Sequence, residues 1–147
     1  MPTGSDEIAV NKAAIIERAI GRALEEFSLD PGLASFTHID AMTLNIERAC
    51  QAAIDLTFHL VARDRLGMPQ TSSDAFRLLQ QAGRIGKDSA RDMAAMTGFR
   101  NVAVHEYQAL DKSILRAIVE GRWRSLVVFC AELGLRIEPR SGNGKSS

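Results

Sequence analysis

The chain has 147 residues, 46% hydrophobic and 24% charged, which suits one soluble domain with a buried core. Its 18 basic and 18 acidic residues cancel, so net charge selects no class of partner. No apolar run approaches the roughly 20 residues of a membrane span, and residues 1–6 are too short and polar for a secretory signal.

Cys50 and Cys130 are isolated thiols on apolar helical patterns, with no C-x-x-C. They read as small core residues of a soluble, cytoplasmic protein. Charge is distributed unevenly along the chain. Residues 5–47 hold three basic side chains (Lys12, Arg18, Arg22) against eight acidic ones. Residues 84–124 hold eight basic against five acidic, so a polyanion would favour this half. Solvated helix faces would give the same count.

Helical periodicity runs through almost every segment, and strand-like alternation is not sustained anywhere. Residues 8–27 form a first helix with Ile8, Ile15, Ile16, Ala19, Ala23, Leu24 and Phe27 on its apolar side, stopped by Leu29-Asp30-Pro31-Gly32. Thr37-His38-Ile39-Asp40 fits a capping box that opens a long second helix over 39–66. Apolar residues on more than one face of that helix predict a central element covered on two sides, or one that also meets a partner chain. Thr71 or Ser73 caps a short third helix that breaks at 83–86. Ser89 and Asp92 make a box-like start for a fourth. Asp111 caps a fifth, with Ile114, Leu115, Ile118, Val119, Trp123, Leu126, Val127 and Cys130 in regular spacing and Gly134 as its C-cap. The expected fold is all-α, an antiparallel bundle of four to five helices over residues 1–139, with a polar, disordered tail over 140–147.

The chemistry narrows by exclusion. His38, His59 and His105 have no metal-ligand spacing, and no phosphate-binding glycine loop or nucleophile elbow occurs, so neither metal nor cofactor is expected. Asp55 and His59, four apart in the second helix, read as hydrogen-bonded to each other or to neighbouring backbone, or else as a support behind a site or a polar contact across a dimer. The dense polar stretch is 98–107, Gly-Phe-Arg-Asn-Val-Ala-Val-His-Glu-Tyr. On a regular helix Asn101 and His105 share a face, whereas Arg100 and His105 lie about 140° apart. Arginine's long stem could close that gap if the helix bends at Gly98 or ends nearby. The set suits metal-free RNA cleavage. An imidazole exchanges a proton near neutral pH, a guanidinium neutralises a phosphorane, and the RNA's own 2′-hydroxyl attacks. One imidazole cannot be base and acid in one step, so two copies facing each other across a dimer would serve. The competing reading is a non-catalytic helical subunit that binds nucleotide or substrate for a nucleotidyltransferase.

At these residues the sequence resembles the HepT-like toxins of the HEPN superfamily. Their motif, R-N-x-x-x-H-x-Y, is filled by Arg100, Asn101, His105 and Tyr107, with Gly98-Phe99 before it. The similarity extends over 45–129, through Gln51-Ala52-Ala53-Ile54-Asp55, Phe76-Arg77-Leu78-Leu79, Ile85, Ala90, Met96-Thr97 and Asp111. The resemblance implies a metal-independent ribonuclease toxin acting as a homodimer, with Arg100 and His105 in cleavage and Asn101 in support. It also implies an MntA-type minimal nucleotidyltransferase antitoxin that transfers AMP to Tyr107. A basic patch for RNA would come from Arg84, Lys87, Arg91, Arg100 and Arg122 or Arg124.

Overall fold

The computed structural model describes residues 6–105 and 112–140, with the side chains of 6–100 and 112–140. Every regular element among them is helical, in line with the expected all-α class.

Helix α1 spans Glu7–Leu29, and Asp6 caps it by accepting a hydrogen bond from the Ala9 amide at 3.1 Å. Burying Ala9, Ala13, Ile16, Ala19, Ile20 and Ala23 leaves small residues along the seam, so a neighbouring helix can approach closely. That neighbour is α2, Phe36–Arg63, which returns antiparallel after a short loop. In the loop the Asp30 carboxylate accepts from the amides of Ala34 and Ser35, and Leu33 turns inward and is buried.

Two expectations fail at the ends of α2. The helix begins at Phe36 with Ser35 at its cap position, so Thr37-His38-Ile39-Asp40 lies inside the first turn and is not a capping box. The Asp30 carboxylate binds the two amides just before the helix, so the chain enters α2 ahead of the box. At the other end α2 stops at Arg63 rather than 66. Arg65 takes a left-handed φ of 54°, and the Leu66 amide reaches back to the Val61 carbonyl. This closure ends the helix despite the apolar Leu66 beyond it.

α2 is the central element. It packs on α1, on α3 (Ser72–Gln81) and on α4 (Lys87–His105), which is why its apolar residues cover more than one face. Thr71 caps α3 by accepting from the Asp74 amide, while Asp74 accepts from the Gln70 amide. α4 begins two residues before Ser89, and the preceding Gly86 amide donates to Glu132 at the far end of the last helical run.

That last run is α5 (Lys112–Ala117), a π-helical turn (Ile118–Arg122) and α6 (Arg124–Glu132). The expected uninterrupted fifth helix is therefore broken at Gly121, where the Trp123 amide bonds five residues back to Ile118. Glycine's weak helical preference lets the backbone take this wider turn. Asp111, its expected cap, lies outside the described residues. Gly134 ends α6 in the left-handed conformation at φ 81°, as its position predicts. Phe129 of α6 meets Phe76 of α3 edge to face, with ring centroids 5.8 Å apart, and both are fully buried.

An ionic chain closes one pole of the bundle. Asp6 binds His59 at 2.6 Å and Arg63 at 2.8 Å; Asp64 binds Arg63 at 2.8 Å and Arg84 at 2.6 Å. Hydrogen bonds from His59, the Ala9 amide and Arg63 hold the Asp6 carboxyl down at about 2. Arg63, and then Arg84, hold Asp64 lower still. Because both folded values are depressed, their stabilisation is complete above the unfolded carboxyl range near 4 and is lost as pH falls towards 2. Urea midpoints should accordingly drop between pH 4 and pH 2. Asp6→Asn, which keeps a good cap, should flatten part of that drop; an unchanged pH profile would show that the Asp6 charge contributes nothing.

Candidate active site

The 98–107 stretch begins in the last turns of α4. Met93, Met96 and Phe99 are buried and seat this part of the helix in the core. α4 is helical through Gly98, so the chain does not break there to swing Arg100 towards His105. Asn101 and His105 follow on the same helix, one turn apart on one face, at the end of the element. Their side chains, and Tyr107 altogether, lie outside the described residues.

Arg100 is half-buried and turned towards α2. Burial pushes the Cys50 thiol up to about 12, and the Arg100 charge pulls against that rise. The guanidinium therefore sits on the inner side of α4, within electrostatic reach of Cys50. Spacing alone did not suggest this neighbour, whose only signal was its place on an apolar stripe. Cys130 is likewise pushed up to about 12 by burial. Both thiols stay protonated at neutral pH, and inert packing is the right description of each.

The two other polar features read from the sequence resolve differently. Asp55 and His59 do not pair with each other. Asp55 accepts from Lys12 at 3.4 Å and Gln51 at 2.9 Å, while His59 meets Asp6. Both residues tie α2 to α1, because the two helices run side by side and supply partners that neither offers the other.

The expected basic patch is only partly taken up by partners within the chain. Arg84 is paired with Asp64, Arg91 with Asp88 and Asp92, and Arg124 lies 4.6 Å over the Trp123 ring. Lys87 and Arg122 are exposed. Among the described residues no group of three or more His, Cys, Asp or Glu could hold a metal ion, and no helix is long and apolar enough to cross a membrane.

Three comparisons bear on this arrangement. Residues 13–133 match the family model described as ribonuclease HepT-like. The mRNA nuclease HepT of Shewanella oneidensis is 36% identical over 116 residues, covering 78% of this chain and 87% of that protein. The tRNA nuclease HepT of Aphanizomenon flos-aquae is 31% identical over 90 residues, 61% of each chain. In structure, the bundle matches a tri-AMPylated HEPN toxin from S. oneidensis, solved in complex with an MNT antitoxin, with a TM-score of 0.83 and 33% identity over 88% of this chain and 98% of that one. These matches favour the ribonuclease over the non-catalytic subunit. The chain belongs to the HepT-like ribonuclease family.

Proposed function

We propose that this protein is the endoribonuclease toxin of a toxin–antitoxin module, cleaving RNA without a metal and working in the cytoplasm, where its substrate lies. The observation that carries the reading is the R-N-x-x-x-H-x-Y series, whose Arg100, Asn101 and His105 lie in the last turns of α4, in a chain whose bundle is built like that of an AMPylated HEPN toxin.

The chemistry needs two copies of the chain. His105 of one copy removes the proton from an RNA 2′-hydroxyl, and the 2′-oxygen attacks the adjacent phosphorus. The bond from phosphorus to the 5′-oxygen breaks, and His105 of the other copy, protonated, donates to the departing oxygen. The products are a 2′,3′-cyclic phosphate and a 5′-hydroxyl, and no outside reactant is consumed. Arg100 neutralises charge on the non-bridging oxygens as the phosphorane forms. Asn101, one turn before His105 on the same face, positions it. A homodimer also resolves the angular separation of Arg100 and His105, since the working pair need not come from one chain.

Control falls to Tyr107. A nucleotidyltransferase antitoxin of the MntA type transfers AMP from ATP to its hydroxyl, releasing pyrophosphate. The AMP adds bulk and negative charge two residues from His105, which blocks the cleft and repels an RNA phosphate. RNA cleavage should therefore continue in EDTA and leave cyclic phosphate ends. It should stop after incubation with the partner, ATP and Mg²⁺, with a mass gain of one or more AMP units. Tyr107→Phe should stay active and unmodified. Cleavage that EDTA abolishes, or AMP retained in Tyr107→Phe, would overturn the respective part.

A further inference from the structure

One concentration of positive charge among the described residues lies off α4 and outside the half of the chain where the basic residues are most numerous. It lines a groove between α1 and α2 of about 410 Å³, walled by Arg18 and Arg22 from α1, Arg48 from α2 and Arg140 from the C-terminal segment. Arg18 and Arg22 are one turn apart on the same helix face, where like charges repel. Arg48 comes up beside them from the neighbouring helix, one turn after the buried Asn45. Among the described residues, Arg18, Arg22 and Arg48 have neither a hydrogen-bond nor an ion-pair partner.

Several neighbouring acids hold other partners, and Glu47, next to Arg48 in sequence, does not line the groove. Glu17 accepts from the Glu138 amide at 2.7 Å, Glu26 binds His38 at 2.6 Å, and Asp6 and Asp30 serve caps and the polar chain. Among the described residues that line the groove, Glu25 is the one carboxylate, against four guanidinium groups. The fourth is brought there by the fold. The Arg140 backbone closes on α1 at Gly21, where a Cβ would overlap the Arg140 carbonyl oxygen, and the Glu17–Glu138 bond fastens the segment one turn away. Arg140 also reaches Glu138 at 3.3 Å, which leaves the three helix arginines as the free charges.

We propose that this α1–α2 groove is a phosphate-binding track for RNA, separate from the cleavage motif, that holds the backbone of the substrate. The proposal rests on the ribonuclease reading. Guanidinium forks suit successive phosphate oxygens, and such contacts position a strand without reading its sequence. Arg48 lies two residues before Cys50, about 200° around α2, so the track faces away from the side where Arg100 sits. A strand touching both must pass round the helix, or run from the groove of one copy to the motif of another.

The test uses the full chain, a fluorescently labelled short single-stranded RNA of mixed sequence, and the same RNA with every 2′-hydroxyl methylated, which binds without being cleaved. Affinity for the methylated probe is measured against KCl concentration. The double variant Arg18→Gln/Arg48→Gln should bind more weakly, with the slope of log affinity against log salt shallower by about 1.4, some 0.7 for each phosphate that is no longer neutralised. On the cleavable RNA its KM should rise with kcat unchanged. Arg18→Lys/Arg48→Lys should keep most of the affinity, and an unchanged thermal transition in both variants excludes a folding defect.

An unchanged affinity and slope in the glutamine variant would overturn the track while leaving the nuclease intact. So would a fall in kcat at constant KM. RNA affinity that is kept while binding to the nucleotidyltransferase partner disappears would assign the groove to an acidic protein surface instead. Wild-type protein that neither binds nor cleaves either RNA would overturn the ribonuclease reading along with the track.

Discussion

His105→Ala should abolish RNA cleavage, lowering the rate at saturating RNA by about 10²- to 10⁴-fold, the range that a positioned proton-transfer group contributes. The helix carrying it should survive, because α4 is held by buried Met93, Met96 and Phe99 further back. Circular dichroism and the thermal transition should match wild type, and binding of the methylated RNA should persist. If the imidazole serves as base in one copy and acid in the other, mixed dimers of wild-type and His105→Ala chains should be nearly as inactive as the variant alone. A variant that cleaves at the wild-type rate would remove His105 from the mechanism.

Phe129→Ala should have the largest effect on stability. Phe129 is fully buried and meets Phe76 edge to face, so truncation removes the ring's transfer energy and the aromatic pair, and opens a cavity between α3 and α6. Such changes cost about 3–5 kcal/mol, a large share of the roughly 5–15 kcal/mol that holds a domain together. The urea midpoint should fall accordingly. Phe129→Leu, which keeps most of the volume, should be much less damaging. A destabilisation below about 1 kcal/mol for the alanine variant would mean that α6 can repack over the gap.

The helical class and the core were readable from periodicity, because that signal is local. In the expected stripe Leu115, Ile118, Val119, Leu126 and Cys130 are buried, Trp123 and Val127 partly so, and Ile114 is exposed, while the several apolar faces of α2 match its three neighbours. Element ends were less readable. The Thr37–Asp40 pattern has the composition of a box but is preempted by Asp30, which takes the entering amides. Leu66 continues an apolar pattern that Arg65 cuts short by adopting a left-handed conformation. In both cases several competing hydrogen bonds are nearly equivalent in sequence, and only the packed chain selects one.

The 98–107 motif was visible because Arg100, Asn101, His105 and Tyr107 are close in sequence, and the family resemblance rests on that contiguity. Its setting was not. Arg100 turns towards Cys50, half the preceding chain away, and the helix runs unbroken through Gly98. Charge was the most misleading signal. Summed along the sequence, residues 5–47 are acidic and 84–124 basic. In space Arg84, Arg91 and Arg116 of the second set are ion-paired, and the first leaves Arg18 and Arg22 beside Arg48 without a carboxylate partner among the described residues.

Local order along the chain was enough to set the helices, their buried faces and the composition of the 98–107 motif. Tertiary packing alone decided which charges cancel, where α2 begins and ends, and which groove stays positive. The reason is range. Helical periodicity acts over three or four residues, whereas an ion pair depends on distance through space, and folding brings together partners as far apart in sequence as Asp6 and Arg63.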